Sequence, residues 1–437
     1  MKTNGKDTKL GVVPALRFPE FRNYNEWVEV PIHQIGTLLT GLSGKNSSNF
    51  GYGKPFITYK QVYSDTVNDF NKCDKVFINN SEKQNSIQQG DILFTTSSET
   101  PDEVGVSSVV LNPLPETIYL NSFCFILRPH DINQLYPLFA KYLFQSPIYR
   151  KKINKLAQGA IRFNLSKNQF IRLSLPIPKE TKEQQKTADC LSSIDALIKA
   201  TENKIDELKA HKKGLMQQLF PAEGKTTPAL RFPEFQNIGE WNVIELGKLT
   251  SRVIKKNRLG YISKVLTNSA ADGVVDQAEY FDRNIVSENN LHNYYVIENG
   301  DYVYNPRVSA SAPVGPISKN YIGQGVMSPL YIIFRFHNIE NEFYNQYFKT
   351  KYWHKYLKNV ANQGARFDRM NIATNDFMNM PLPVPAQAEQ QKIADCLSSI
   401  DDLIMAQTNR LEALKAHKKG LMQQSVSYTH LRAHETD

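Results

Sequence analysis

The stretch EQQKTADCLSSIDALI at residues 183–198 returns as EQQKIADCLSSIDDLI at 389–404, and LKAHKKGLMQQ at 208–218 returns unchanged at 414–424. Outward from these, ALRFPEF at 15–21 recurs at 229–235, each copy followed six residues later by a tryptophan, Trp27 and Trp241. The chain is therefore duplicated, and the duplication sets the boundaries. They are an arm (1–21), a variable domain (22–182), a helix (183–218), a linker repeating the arm (219–235), a second variable domain (236–388) and a second helix (389–424). The offset falls from 214 between the arms to 206 between the helices, so the second variable domain is eight residues shorter. Residues 425–437, SVSYTHLRAHETD, have no counterpart after Gln218 and read as a non-native tail.

In the first near-identical segment Leu191, Ile194, Ile198, Ile205, Leu208, Leu215 and Leu219 fall on alternating steps of three and four, with Thr201 and Lys212 in two polar slots. The second keeps the register through Leu397, Ile400, Ile404, Leu411, Leu414 and Leu421, with Gln407 and Lys418 in the same slots. This is a heptad seam, and matched polar layers fix register at some loss of stability. Two matching seams in one chain predict an intramolecular helix pair, each helix running roughly 54 Å at 1.5 Å per residue. Thr181 with Gln184 predicts a capping box at the first helix start.

The variable domains read as α/β. ILF (92–94), SFCFILRP (122–129) and LYIIFRF (330–336) predict strands, and 138–158 and 342–363 predict helices. GDILF (90–94) aligns with GDYVY (300–304), and QGAIRF (158–163) with QGARF (363–367), so the two domains are diverged relatives. Each ends in a proline-bounded strand-like stretch, LSLPIP or MNMPLPVP. A constant frame around differing domains fits domains that set specificity and a frame that sets assembly.

The whole chain carries 52 Lys+Arg against 43 Asp+Glu, a net +9. Partitioned, the helices are neutral, while 22–182 carries +5 and 236–388 carries +3. The span 132–179 holds nine cations and no acid, among them Arg150, Lys151, Lys152, Lys155 and Arg162. Residues 343–367 repeat the asymmetry with Lys351, Lys355, Lys358 and Arg366. Basic helices before QGA-(I)-R-F in both domains suggest a surface that follows phosphates. The interleaved Tyr142, Phe144, Tyr347 and Tyr352 are read as core. Side chains suited to bidentate base contacts lie in polar loops: Lys45, Asn46 and Lys54 in 43–54, Arg252, Lys255, Lys256 and Arg258 in 251–260, and Arg307 in 304–311. TTSSET (95–100) is a further such loop.

No catalytic or metal motif emerges. HExxH, paired CxxC and G-x-S-x-G are missing, and GKTT (224–227) lacks the first glycine of a phosphate loop. Four cysteines without CxxC predict reduced thiols and a cytoplasmic protein. No apolar run reaches the length of a membrane span. The chain reads as a binder that leaves chemistry to partners.

LRFPEF…W, QGA-R-F, P-x-P…EQQKIADCLSSID and LKAHKKGLMQQLFP, twice in this order, resemble the specificity subunit of type I restriction–modification systems, over residues 1–424. GLSGKNSSNFGYGKPFITY (41–59) and GVMSPLYIIF (325–334) are also similar to stretches of that family's target recognition domains. The resemblance implies two α/β target recognition domains joined by two long antiparallel coiled-coil helices in pseudo-two-fold arrangement. Each domain would read one half of a split duplex DNA site. The helices would dock two modification subunits that methylate adenine with S-adenosylmethionine, and restriction subunits would add cleavage driven by ATP and Mg. This chain would bind no cofactor or metal and catalyse nothing. A family member would continue past Gln424 as copy one does past Gln218. Two other readings of the same residues stay open: a stand-alone two-headed DNA-binding regulator, and a coiled-coil adaptor whose basic domains serve solubility.

Overall fold

A computed structural model describes residues 13–159, 162–281, 288–338, 342–362 and 368–426. The chain divides into two compact units, Met1–Glu202 with Asn409–Asp437, and Asn203–Thr408. The tail from 427 onward, most of the first arm, Arg366 and parts of both QGA-(I)-R-F motifs lie outside the described residues.

Unit 1 is built on a four-stranded antiparallel sheet in the order Gly36–Thr40, Cys124–Pro129, Ile92–Thr95, Ser107–Val109. The hydrophobic runs read from the sequence supply its two central strands, buried on both faces. Phe94 and Phe125 stack at 5.2 Å on one face and meet Phe170 edge-on, in a core with Phe144 and Tyr149. Leu93 and Ile126 face a second cluster with Val62 and Leu120. The stretch Ser174–Ile177 pairs antiparallel with Val28–Pro31, where a two-stranded edge tolerates proline's missing N–H.

Unit 2 repeats the plan. Its sheet runs Thr250–Arg252, Ile332–Phe336, Tyr302–Tyr304, Ile317–Lys319, again antiparallel throughout. Pro381–Val384 pairs with Asn242–Glu245 as the counterpart of the proline strand. Tyr302, Phe334, Phe336, Tyr344 and Phe348 fill its core. Tyr142, Phe144 and Tyr347 are buried and Tyr352 is half-buried, so these rings pack inward.

Two helix expectations are corrected. The run 138–158 is split into Pro137–Leu143 and Pro147–Asn154, because Pro147 cannot continue a helix and Ser146 caps the new one through Tyr149 N. The run 342–363 is likewise two helices, Glu342–Tyr347 and His354–Val360. The first long helix spans Thr181–Leu219 and the second Gln387–Ser425. No capping box forms at Thr181: its Oγ1 donates to Asn133 O, while Gln184 accepts from Tyr136 N and donates to Gln134 O and Pro178 O. Both side chains tie the helix start to the preceding domain instead. Among the described residues no helix is long and apolar enough to cross a membrane.

Each unit joins the beginning of one long helix to the end of the other. In unit 1 Asp195 meets Lys418 at 2.6 Å and Glu202 meets Lys415 at 3.3 Å, so partner numbers fall as the first rise and the segments run antiparallel. In unit 2 Lys212 meets Asp401 at 2.5 Å, the same pair one repeat on. The polar slots read at Lys212 and Lys418 are thus two ion pairs, each lysine meeting an aspartate of the other helix. Tyr142 donates to Asp195, and Gln346 and Lys349 to Asp401, which fastens each pair to its own domain. Of the seam residues Leu191, Ile194, Ile205, Leu397, Ile400 and Leu411 are buried, and Ile198, Leu208, Leu215, Ile404, Leu414 and Leu421 half-buried.

The repeated arm explains itself at the helix start. Arg17 grips Glu183 through two bonds of 2.7 Å and donates to the carbonyls of Tyr24 and Asn25. Trp27 Nε1 adds a third bond to Glu183, at 3.0 Å. Unit 2 repeats the clamp with Arg231, Glu389 and Trp241. Lys186–Glu20 and Lys392–Glu234 flank the two clamps as surface pairs.

The units differ at one junction. In unit 2 Leu219 and Phe220 close the core, Phe220 lying 5.2 Å from Phe343. The matching residues of unit 1 are Ser425 and Val426, and Thr187 stands where unit 2 has Ile393. Among the described residues a mostly apolar cavity of about 290 Å³ remains there, between Leu16, Phe18, Trp27, Leu191, Leu421 and Ser425. Ser425→Leu should fill it and raise stability by about 1.5–3 kcal/mol, the typical gain for a buried leucine. A denaturant midpoint that does not rise would argue against this.

Candidate nucleic-acid interface

The edge strand of each sheet, Gly36–Thr40 or Thr250–Arg252, leads into one of the basic loops. In unit 1 the loop is braced from within. The Lys45 side chain is only 3% exposed, pairs with Glu82 at 2.5 Å and lies 6.0 Å from the Phe77 ring. Asn46 caps the turn Ser47–Asn49 by accepting from Ser48 N. Tyr52 stacks on Phe77 at 5.6 Å, both exposed, beside exposed Lys54.

The loop of unit 2 presents more to solvent. Lys255, Lys256 and Arg258 are exposed, together with Ile254, Leu259 and Tyr261. Its backbone is nonetheless fixed: Val296 N donates to Lys255 O, Asn257 N to Tyr294 O and Gly260 N to Asn257 O, at 2.7–2.9 Å. The buried Asn257 side chain spans the turn by donating to Ile262 O and accepting from Ile262 N. Gly260 has φ +70, the left-handed region, which this turn requires. Arg252, at the loop's base, is half-buried. Its Nε finds no hydrogen-bond partner among the described residues, and burial pulls its pKa below the usual arginine range.

The basic helices are only partly free. Arg150 donates to Val104 O and stacks 5.6 Å from the Tyr149 ring, and Lys152 reaches Glu29 at 3.0 Å and Ser174 O at 2.6 Å. These two and Lys45 were read as phosphate or base contacts; the structure gives them internal partners. A charge run in the sequence carries no sign of which cations turn inward. Lys355 holds Glu223 in an exposed pair. Lys151, Lys155, Lys351 and Lys358 face solvent. Arg307 is exposed on a segment bridged to Arg369. Arg162 is exposed, 5.5 Å from the exposed Phe123 ring. With Tyr59, Tyr63, Ser98 and Glu103 it borders a depression of about 360 Å³. TTSSET, read as a polar loop, is mostly strand here: Thr95 ends a central strand, Ser97–Ser98 pairs with Phe163–Asn164, and the Thr95, Ser97 and Ser98 side chains are buried. Ser98 and Tyr63 donate to Glu103 and hold its carboxyl below the ordinary glutamate range.

Sequence reasoning missed what positions these strands. Gly90 and Gly300 take φ +91 and +88, turning the chain so that the next residue, Asp91 or Asp301, is buried under the sheet. Asp91 binds Arg128 at 2.9 and 2.7 Å and accepts from Gln88 N. Asp301 binds Arg335 at 2.6 and 3.0 Å and accepts from Glu298 N. Asp301, and then Glu298, hold Arg335 above the usual arginine pKa. Each pair staples the second sheet strand to the third. The aligned Gly-Asp dipeptides were the available signal, though not their partners 37 and 34 residues away.

A sequence model of the type I restriction modification DNA specificity domain matches residues 24–210 and again 216–416. A protein of Methanocaldococcus jannaschii, named as a type I restriction enzyme MjaX specificity subunit, is 28% identical over 438 residues, covering 96% of this chain and 95% of its own. The StySPI specificity subunit of Salmonella potsdam is 24% identical over 405 residues, 88% of this chain and 84% of its own. In fold, the crystal structure of a type I restriction–modification S subunit from M. genitalium aligns with a TM-score of 0.55 at 15% identity, over 96% of this chain and 100% of that one. Two copies of the domain model, each over one half of the duplicated sequence, place the chain in the type I restriction–modification DNA specificity family.

Proposed function

We propose that each unit reads one half of a bipartite duplex DNA target and that the long helices set the distance between the halves. The observation that carries this is the recurrence of one station: in both units a sheet-edge strand leads to exposed cations, Lys54 in the strand after the loop of unit 1 and Lys255, Lys256 and Arg258 in the loop of unit 2. Phosphate contacts are assigned to the exposed Lys151, Lys155, Lys255, Arg258, Lys351 and Lys358, and to Lys54 and Lys256, whose contacts to Glu116 at 3.9 Å and Asn293 at 3.5 Å are long and open to solvent. Arg162 and Arg307 are the better placed for base edges, as guanidinium groups suited to guanine.

The antiparallel ion pairs Asp195–Lys418 and Lys212–Asp401 support a pseudo-two-fold coiled coil. On this reading two modification subunits dock on the helices, and restriction subunits complete the assembly in the cytoplasm. S-adenosylmethionine, ATP and Mg belong to those partners, and this chain directs adenine methylation or cleavage without catalysing either.

Exchanging residues 22–182 for the corresponding domain of a relative with another specificity is the test. Methylation-site sequencing of cells carrying the hybrid and its modification subunit should show one half-site replaced and the other kept. Both halves changed, or neither, would refute the assignment of one half-site to each unit.

A further inference from the structure

We propose that the turn 254–261 enters duplex DNA as an apolar wedge. Leu259 and Tyr261 press against a base step, while Lys255, Lys256 and Arg258 hold the flanking phosphates. The proposal rests on the DNA-reading function above and adds how one half-site is read.

Three observations carry it. Ile254, Leu259 and Tyr261 are 64%, 72% and 84% exposed, three large apolar side chains within eight residues. Single exposed apolar residues are ordinary, but a cluster at the tip of a turn marks a surface made to be covered. Next, residues 251–264 contain five Lys or Arg and no Asp or Glu, a charge that complements a polyanion. Last, the backbone beneath is held by the bonds to Tyr294, Val296 and Ile262 already described, so the tip is set before it meets its partner. A fixed tip loses little conformational freedom on insertion, which favours affinity.

Proteins that unstack a base step do so with this combination, an apolar side chain between bases and cations on either side, and the energy of deforming the step then contributes to specificity. Unit 1 offers a related surface at the same station, where exposed Tyr52 stacks on Phe77 beside Lys54. An anionic membrane surface or a protein partner also accepts basic and apolar side chains, so both enter the test.

The experiment uses the full chain in complex with its modification subunit and target duplexes carrying 2-aminopurine at successive steps of each half-site. The wild-type complex should brighten at one step of the half-site read by unit 2. The double variant Leu259→Ala/Tyr261→Ala should abolish that signal and weaken specific binding roughly tenfold or more, leaving the salt dependence as it was. Lys255→Gln/Lys256→Gln/Arg258→Gln should instead flatten the plot of log K against log salt by about 2–3 units of slope. All five positions are exposed, so unchanged melting temperatures certify folded variants.

Wild-type affinity and fluorescence in the double variant overturn the wedge. So does a double variant that keeps DNA binding but loses association with the modification subunit or with vesicles of phosphatidylserine and phosphatidylcholine. A wild-type complex with no sequence preference at all overturns the DNA reading itself, an outcome separate from intact preference that ignores the double variant.

Discussion

Glu389→Ala is expected to destabilise unit 2 by about 3–5 kcal/mol, the usual loss when one partner of a buried ion pair is removed. Glu389 is buried and takes three bonds, from Arg231 at 2.8 and 2.6 Å and from Trp241 Nε1 at 3.2 Å. Alanine leaves a guanidinium with little access to water and an indole N–H without its acceptor. Arg231 also holds the carbonyls of Ile238 and Gly239, so the turn leading to Trp241 loosens with it. Glu183→Ala should act equally in unit 1, through Arg17 and Trp27. The pair Arg231→Met/Glu389→Leu should recover only part of the loss: it removes the uncompensated charge, but the Trp241 N–H and the carbonyls of Ile238 and Gly239 stay without those partners. Calorimetric unfolding measures all three. A Glu389→Ala loss below about 1 kcal/mol would show that water enters the clamp.

Asp301→Ala is expected to lower stability by about 2–3 kcal/mol and to weaken recognition of the half-site read by unit 2. The carboxylate is fully buried and joins Arg335 to the turn at Glu298. Arg335 is about a third exposed and keeps Glu298, at 2.7 Å, so water and that carboxylate moderate the loss. Recognition follows because Arg335 lies in the strand paired with Thr250–Arg252, which leads directly into the basic loop. Asp301→Asn keeps an acceptor for Glu298 N but not the charge, and should fall between the two. Equal unfolding midpoints for wild type and Asp301→Ala would remove the staple from the account.

What the sequence revealed was periodic or repeated. Leu191 and Leu397 sit at matching heptad positions and are both buried, and the runs ILF and LYIIFRF lie in central strands. What it hid was direction and distance. Arg17 and Glu183 stand 166 residues apart, in motifs recognisable only as identical text, and nothing local pairs them. Lys152 and Lys151 are neighbours in a basic run, yet one reaches Glu29 and the other faces water. Helical phase alone could not separate them, since Glu29 comes from a distant strand. Pro147 was the available warning that 138–158 could not be one helix. Loop 251–260 was read for its cations, whereas the exposure of Leu259 and Tyr261 depends on a tertiary turn.

The unfilled junction beside Ser425 gives this chain an order of failure. Two otherwise equivalent helix ends are anchored unequally, one by Leu219 and Phe220 and the other by Ser425 and Val426 around a cavity. On warming, the second long helix should therefore fray from unit 1 before the first frays from unit 2. Discrimination at the half-site read by unit 1 should fade at the lower temperature. Fidelity would then be a property of each half-site separately, and methylation-site sequencing at rising temperature should show the half-site of unit 1 failing first.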